Sequence, residues 1–330
     1  PFSIGWQDSL EHEYLINPFL LAKMLRERPD VIISGGYNWG TLNALLYRKL
    51  TGVRYVIWTE VTMMTDGRFR GAKLWLRRVM GRNAAAFIDA GTLAREYVRY
   101  LVPGIPDSRL FRAYNCVESA RFMVSAEEGR SFLNARGLPP QTLLFVGKLN
   151  EGKGVPVLLK AYRQLVAERA NLGLVLLGDG PLRLQIEEFK ARHGLRHLHL
   201  PGFLENEKTA PYYAGASAFV LLSVRDRNPL VIFEALNAGV PILCSNRAGN
   251  AVDFIKDGVN GYIVDPLEID DVVAKLREVL EWGVQRRDAA REFSHSVVRM
   301  ANYEDAARAF VSACRLAIGQ GPGVSRCQDD

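Results

Sequence analysis

Short apolar runs rich in β-branched and aromatic residues recur along the chain, separated by longer stretches in which apolar positions return every three or four residues. The short runs predict strands at 31–34, 54–58, 85–89 and 110–114. Six more follow at 143–147, 172–178, 197–200, 218–222, 241–244 and 261–264. The helical period predicts amphipathic helices between most of them, such as 156–169 and 269–282, and a further helix over 15–28. Strands apolar on both faces that alternate with helices imply α/β architecture, a parallel sheet covered on each side.

The breaker cluster Gly137-Leu138-Pro139-Pro140 stands directly before a strong strand. It predicts a first domain over 1–138 and a second over 139–318, with the last helix a candidate to return to the first. The six strands after the cluster suffice for a complete doubly wound sheet. Only four precede it, so the first domain is expected to lack its opening strands. The chain begins at Pro1 without a leader pattern. Residues 319–330, Gly-rich and polar, are expected to be disordered.

Composition narrows the class. Over 330 residues, 48% are hydrophobic and 24% charged, which excludes a disordered, collagen-like or disulfide-stapled protein. No apolar run approaches the roughly 20 residues of a membrane-spanning helix. The four cysteines are scattered without a CxxC pair, so a reducing, cytoplasmic setting is expected. His193, His197 and His199 cluster in sequence but span a helix end and a strand, and no metal site is expected.

The net charge of +6 is unevenly placed. Residues 1–140 carry 19 Lys and Arg against 13 Asp and Glu, whereas 141–330 carry 23 of each. The stretch from Arg68 to Arg82 holds six basic residues, no acidic one, and Trp, Leu and Met among them. Such a segment suits a helix docking on an anionic membrane surface, at the inner face. It suits equally a surface helix with its apolar face in the core. No nucleic-acid signature accompanies it.

Two constellations could carry chemistry. Gly147-Lys148-Leu149-Asn150-Glu151-Gly152-Lys153-Gly154 lies between a strand and a helix, where backbone amides can hold phosphate. It has the P-loop spacing, but Gly154 replaces the hydroxyl residue that ligates magnesium. What remains is Lys148 and Lys153, able to neutralise a diphosphate without metal or, alternatively, simply solvated. The second constellation is the segment from Ser223 to Leu236. Pro229 suits the first turn of a helix, whose free amides at Leu230 and Val231 would face an anion. Glu234 then stands on an otherwise apolar helix, and a carboxylate buried there needs a partner. Two vicinal hydroxyls of a ribose would satisfy it; so would a salt bridge.

These motifs resemble, in order, those of the family 4 nucleotide-sugar glycosyltransferases. The matching features are the glycine–lysine turn at 147–154, Gly178-Asp179-Gly180-Pro181, Pro201-Gly202-Phe203, the acid pair Asp226 and Glu234 with seven residues between them, and Gly258-Val259-Asn260-Gly261. The resemblance implies the GT-B fold, two Rossmann-like doubly wound domains. It implies a retaining, metal-independent transfer of a sugar from a UDP- or GDP-type nucleotide-sugar donor, with no further cofactor. It also implies roles. Lys148 and Lys153 would grip the diphosphate, and Glu234 would hold the ribose. Gly147 would belong to the phosphate turn, and Gly202 and Phe203 would meet the base. Asp226 would contact the transferred sugar, although the family carries Glu there. In the family, the acceptor is a saccharide or a lipid-linked one.

In the first part, Tyr37, Asn38 and Trp39 follow a strand and could stack on or bond an acceptor sugar; plain packing accounts for the aromatics equally. Glu60 stands where family members often carry His, and could meet a sugar hydroxyl or serve structure. Two other functions stay open: a nucleotide-sugar epimerase on the same architecture, and a catalytically inactive nucleotide-binding fragment.

Overall fold

The computed structural model describes residues 4–7, 13–66, 69–205 and 208–319. They form two units. One is built from the described residues up to Asn115 together with those from Tyr303 onward, the other from Cys116 to Asn302.

The first unit opens with an antiparallel hairpin of β1 (Ile4–Gln7) and β2 (Glu13–Ile16). The sequence predicts a helix over 15–28 and no strand before 31. The helix is shorter, Leu20–Glu27. Pro18 disfavours helical backbone at Asn17, and the Asn17 side chain accepts from the Phe19 amide at 3.0 Å, so the helix begins only beyond this turn. A parallel sheet follows in the order β3 (Ile32–Gly35), β4 (Tyr55–Thr59), β5 (Ala86–Asp89), β6 (Leu110–Arg112). Alternation along β4 sends Tyr55 and Ile57 into a core with Tyr47, Phe87 and Tyr97. Val56 faces the other way, with Ala86, Ile88 and Ala113. That second face is covered by the returning helix Tyr303–Ala317 through Ala313, Ala317 and Phe310.

The basic stretch forms the helix Gly71–Asn83, with Arg77, Met80 and Gly81 buried. The Arg77 guanidinium turns inward, bonded to the Tyr97 hydroxyl at 2.5 Å and 3.6 Å from Asp66. It also lies over the rings of Phe69 and Tyr37. These contacts pack the helix on its own unit, while Trp75 on it stays 65% exposed. Among the described residues no helix is long and apolar enough to cross a membrane.

In the second unit, six parallel strands run in the order β12-β11-β10-β7-β8-β9. They are β7 (Gln141–Val146), β8 (Leu172–Leu177), β9 (Leu198–Gly202), β10 (Ala218–Leu221), β11 (Ile242–Ser245) and β12 (Gly261–Val264). Every residue of β8, β10 and β11 is buried, which is why these strands read as unbroken apolar runs. Burying each large side chain there, such as Phe219, contributes about 1.5–3 kcal/mol.

The unit begins 23 residues earlier than the breaker cluster suggested, at Cys116 rather than 139. The helix Ala126–Asn134, started by a Ser125–Glu128 capping box, crosses the helix Ala210–Gly215 at backbone distance. A Cβ on Gly129 would lie 2.3 Å from the Gly215 nitrogen, so two facing glycines weld this segment to the second unit. Of the tail at 319–330, only Gly319 lies within the described residues.

Candidate functional site

Strand order brings the candidate residues of the second unit together. β7 is flanked by β8 on one side and β10 on the other, so the loops after β7 and β10 leave the sheet at its switch point, where parallel sheets bind ligands. Lys148 and Lys153 come from the first loop, Asp226 from the second. Gly147 anchors the first loop by donating its amide to the Leu177 carbonyl at 2.9 Å. The Asn150 side chain accepts from the Lys153 amide at 2.8 Å, and the Val224 amide donates to the Gly152 carbonyl at 3.0 Å, joining the two loops.

Gly154 has φ +73°, and a Cβ there would lie 1.8 Å from the Leu222 carbonyl oxygen. The Ser or Thr of a phosphate-binding P-loop cannot occupy this position, because the backbone leaving β10 passes through the space. Gly178 is equally close to the neighbouring loop, 1.9 Å from the Gly147 oxygen. The two glycines let three strand ends converge.

At the junction, Lys153 Nζ lies 2.6 Å from Asp226 Oδ2, which also accepts from the Ser223 hydroxyl at 3.3 Å. The Asp226 side chain is 10% exposed and that of Lys153 31%. Asp226 is further fixed by its backbone, its amide donating to the Arg247 carbonyl and its carbonyl accepting from Gly249. Lys148 is exposed on the same loop.

Pro229 caps the helix Leu230–Ala238 in extended conformation, one residue before the position expected for it. Leu230 and Val231 are therefore its first residues, with amides that have no carbonyl one turn back. Glu234 follows one turn in, half-buried. Its partner is the Tyr213 hydroxyl, which donates to Oε2 at 2.8 Å; among the described residues no cation pairs with it. Burial pushes the Glu234 carboxyl above its ordinary value, and the Tyr213 hydrogen bond opposes that rise. The tyrosine itself is driven up by burial and by the adjacent carboxylate. Gly202 ends β9, and Phe203 beyond it is 76% exposed.

Tyr213 escaped the sequence reading. It sits in a six-residue helix with no readable period, and only the fold carries it to Glu234.

The remaining candidates lie in the first unit and have local duties. Asn38 caps the helix Trp39–Thr51, accepting from the Thr41 amide. The Trp39 indole donates to the Asn17 carbonyl at 2.8 Å. Tyr37 packs edge-on against Tyr97 at 6.0 Å, with its hydroxyl buried and without a hydrogen-bond partner among the described residues. Glu60 accepts from the Asn115 side chain at 2.7 Å. Among the described residues no group of three or more His, Cys, Asp or Glu is gathered as a metal site would need.

Residues 132–295 match the family described as glycosyl transferases group 1. An uncharacterized glycosyltransferase of Methanocaldococcus jannaschii is 28% identical over 219 residues, 64% of this chain and 55% of that protein. The sulfoquinovosyl transferase SQD2 of Arabidopsis thaliana is 25% identical over 289 residues, 80% of this chain and 52% of its own. The chain thus spans about half the length of the curated relatives it matches. Among solved structures, HepE of Anabaena in complex with UDP and glucose superposes with a TM-score of 0.69 at 17% identity, covering 87% of this chain and 80% of that one. Through residues 132–295 the chain belongs to the group 1 glycosyl transferases, and its two parallel-sheet units are those of the GT-B fold.

Proposed function

We propose that the protein is a retaining, metal-independent glycosyltransferase that moves a sugar from a nucleoside diphosphate donor to a saccharide acceptor. The observation that supports this most is the meeting of Lys153 and Asp226 at the switch point, with Glu234 on the helix that follows.

In this reading Lys148 and Lys153 neutralise the diphosphate, joined by the first amides of the helix Leu230–Ala238. Their positive charge is in place before the reaction, so it stabilises the leaving group without reorganisation. Asp226, held by Lys153 and Ser223, accepts from hydroxyls of the transferred sugar. Glu234 accepts from the ribose, and Gly202 with Phe203 borders the base. The bond from the anomeric carbon to the diphosphate oxygen breaks. The acceptor oxygen bonds that carbon on the same face, and its proton passes to the departing phosphate oxygen. UDP is the first base to try, since HepE was solved with UDP.

The test is thermal denaturation with UDP, GDP, ADP and ATP, with and without magnesium, followed by product analysis. A ligand that binds only the folded state raises its melting temperature. The expected result is a magnesium-independent rise with UDP or GDP, and a product with the donor's anomeric configuration. No rise with any nucleoside diphosphate would refute the donor site; an altered donor without transfer would identify an epimerase.

A further inference from the structure

The carboxylate of Glu234 is held in an unusual way for a ligand-binding acid. Among the described residues no cation or backbone amide bonds it, only one phenolic hydroxyl, that of Tyr213, at 2.8 Å from Oε2. Tyr213 is completely buried. Its ring is wedged between Phe122, edge-on at 5.8 Å, and Phe219 of β10, at 5.5 Å. The helix that carries it, Ala210–Gly215, cannot withdraw, because it meets Ala126–Asn134 at backbone distance. A Cβ on Gly215 would lie 2.3 Å from the Gly129 oxygen. The hydroxyl is therefore a rigid donor, fixed from three sides.

A carboxylate on a flexible glutamate stem rotates freely about its last bond. One donor at Oε2 stops that rotation, and leaves both lone pairs of Oε1 and one of Oε2 for other hydroxyls. We propose that Tyr213 is the positioning residue of the ribose subsite, and that its hydroxyl orients the Glu234 carboxylate to accept from the two vicinal hydroxyls of the donor's ribose. This rests on the assignment of Glu234 to the ribose made above. Its consequence is selectivity: the tyrosine governs preference for ribose over sugars that lack those hydroxyls, without touching the nucleotide itself.

The readout is the affinity of UDP and GDP, each compared with its 2′,3′-dideoxy form, in the unaltered protein, Tyr213→Phe, Glu234→Ala and the double variant. Phenylalanine keeps the ring between Phe122 and Phe219, so the packing survives. The unaltered protein should prefer the ribose form. Tyr213→Phe should weaken the ribose form about tenfold, the scale of one hydrogen bond to a charged group, and leave the dideoxy form unchanged. It should add no loss in the Glu234→Ala background, as two residues acting through one contact require. Full ribose preference in Tyr213→Phe, alongside its loss in Glu234→Ala, would overturn the role of Tyr213 and keep the ribose assignment. Equal weakening of both forms would mark a packing defect and overturn it too. Undiminished ribose preference in Glu234→Ala would instead remove the assignment of Glu234, and the proposal with it.

Discussion

Lys153 Nζ lies 2.6 Å from the carboxylate of Asp226, 73 residues away along the chain. The contact joins the loop after β7 to the loop after β10, and so brings the lysine proposed to hold phosphate against the acid proposed to hold sugar. In the free protein, each charge is partly neutralised by the other.

Separate losses should follow from separating the two. Lys153→Ala is expected to weaken UDP or GDP binding and lower kcat/KM by about 10²–10³-fold, the scale of one preorganised donor to a leaving oxyanion. Asp226→Asn should leave nucleoside diphosphate affinity no weaker, because Lys153 is freed of its counter-charge, while transfer falls because the sugar loses the carboxylate. Calorimetry with the diphosphate, beside initial rates with the nucleotide sugar, distinguishes the two patterns. Equal diphosphate affinity in both variants would contradict the division of roles.

Gly154→Ser restores the P-loop hydroxyl, yet it should yield no ATPase activity. The new Cβ would meet the Leu222 carbonyl at 1.8 Å, at a φ of +73° that serine resists. Backbone strain alone is worth about 1–3 kcal/mol. A marked fall in melting temperature is expected in denaturation scans; an unchanged one would show that the loop yields easily.

Glu234 makes stability depend on pH. Its folded-state carboxyl lies above the ordinary value because burial disfavours the charge. A carboxyl raised on folding contributes stability that is complete below its unfolded value and is lost as pH rises through the folded one. Glu234→Gln should therefore melt higher than the unaltered protein at pH 7–8 without ligand, with the gain shrinking toward pH 4. A gain that grew on acidification would reverse the sign.

Asp89 should matter to the first unit far more than a surface acid does. Its fully buried carboxylate is bonded by Arg95 at 2.8 Å and by Arg112. Removing one partner of a buried pair costs about 3–5 kcal/mol. The exposed pair of Asp107 with Arg99 is worth about 0–1 kcal/mol. Urea denaturation of Asp89→Ala and Asp107→Ala should show that contrast.

Much of this was legible in the residues. Strands buried on both faces, such as Leu172–Leu177, show as apolar runs, and Pro229 with Glu234 marks a helix start with a misplaced acid. The hairpin of β1 and β2 was not: its strands, Ile-Gly-Trp-Gln and Glu-Tyr-Leu-Ile, each carry a polar residue and form no unbroken apolar run. The unit boundary was hidden because it depends on Gly129 and Gly215 crossing face to face, a contact between distant segments. Tyr213 was hidden for the same reason. The contact of Lys153 with Asp226 needs strand order, which no local pattern contains.

The returning helix Tyr303–Ala317 bears on how the protein comes into being. It supplies Phe310, Ala313 and Ala317 to the face formed by Val56, Ala86 and Ile88. Those partners are translated only after Cys116–Asn302. The sheet of β3 to β6 must thus wait through synthesis of its neighbour with one oily side open. During that interval the nascent chain is most in need of a chaperone.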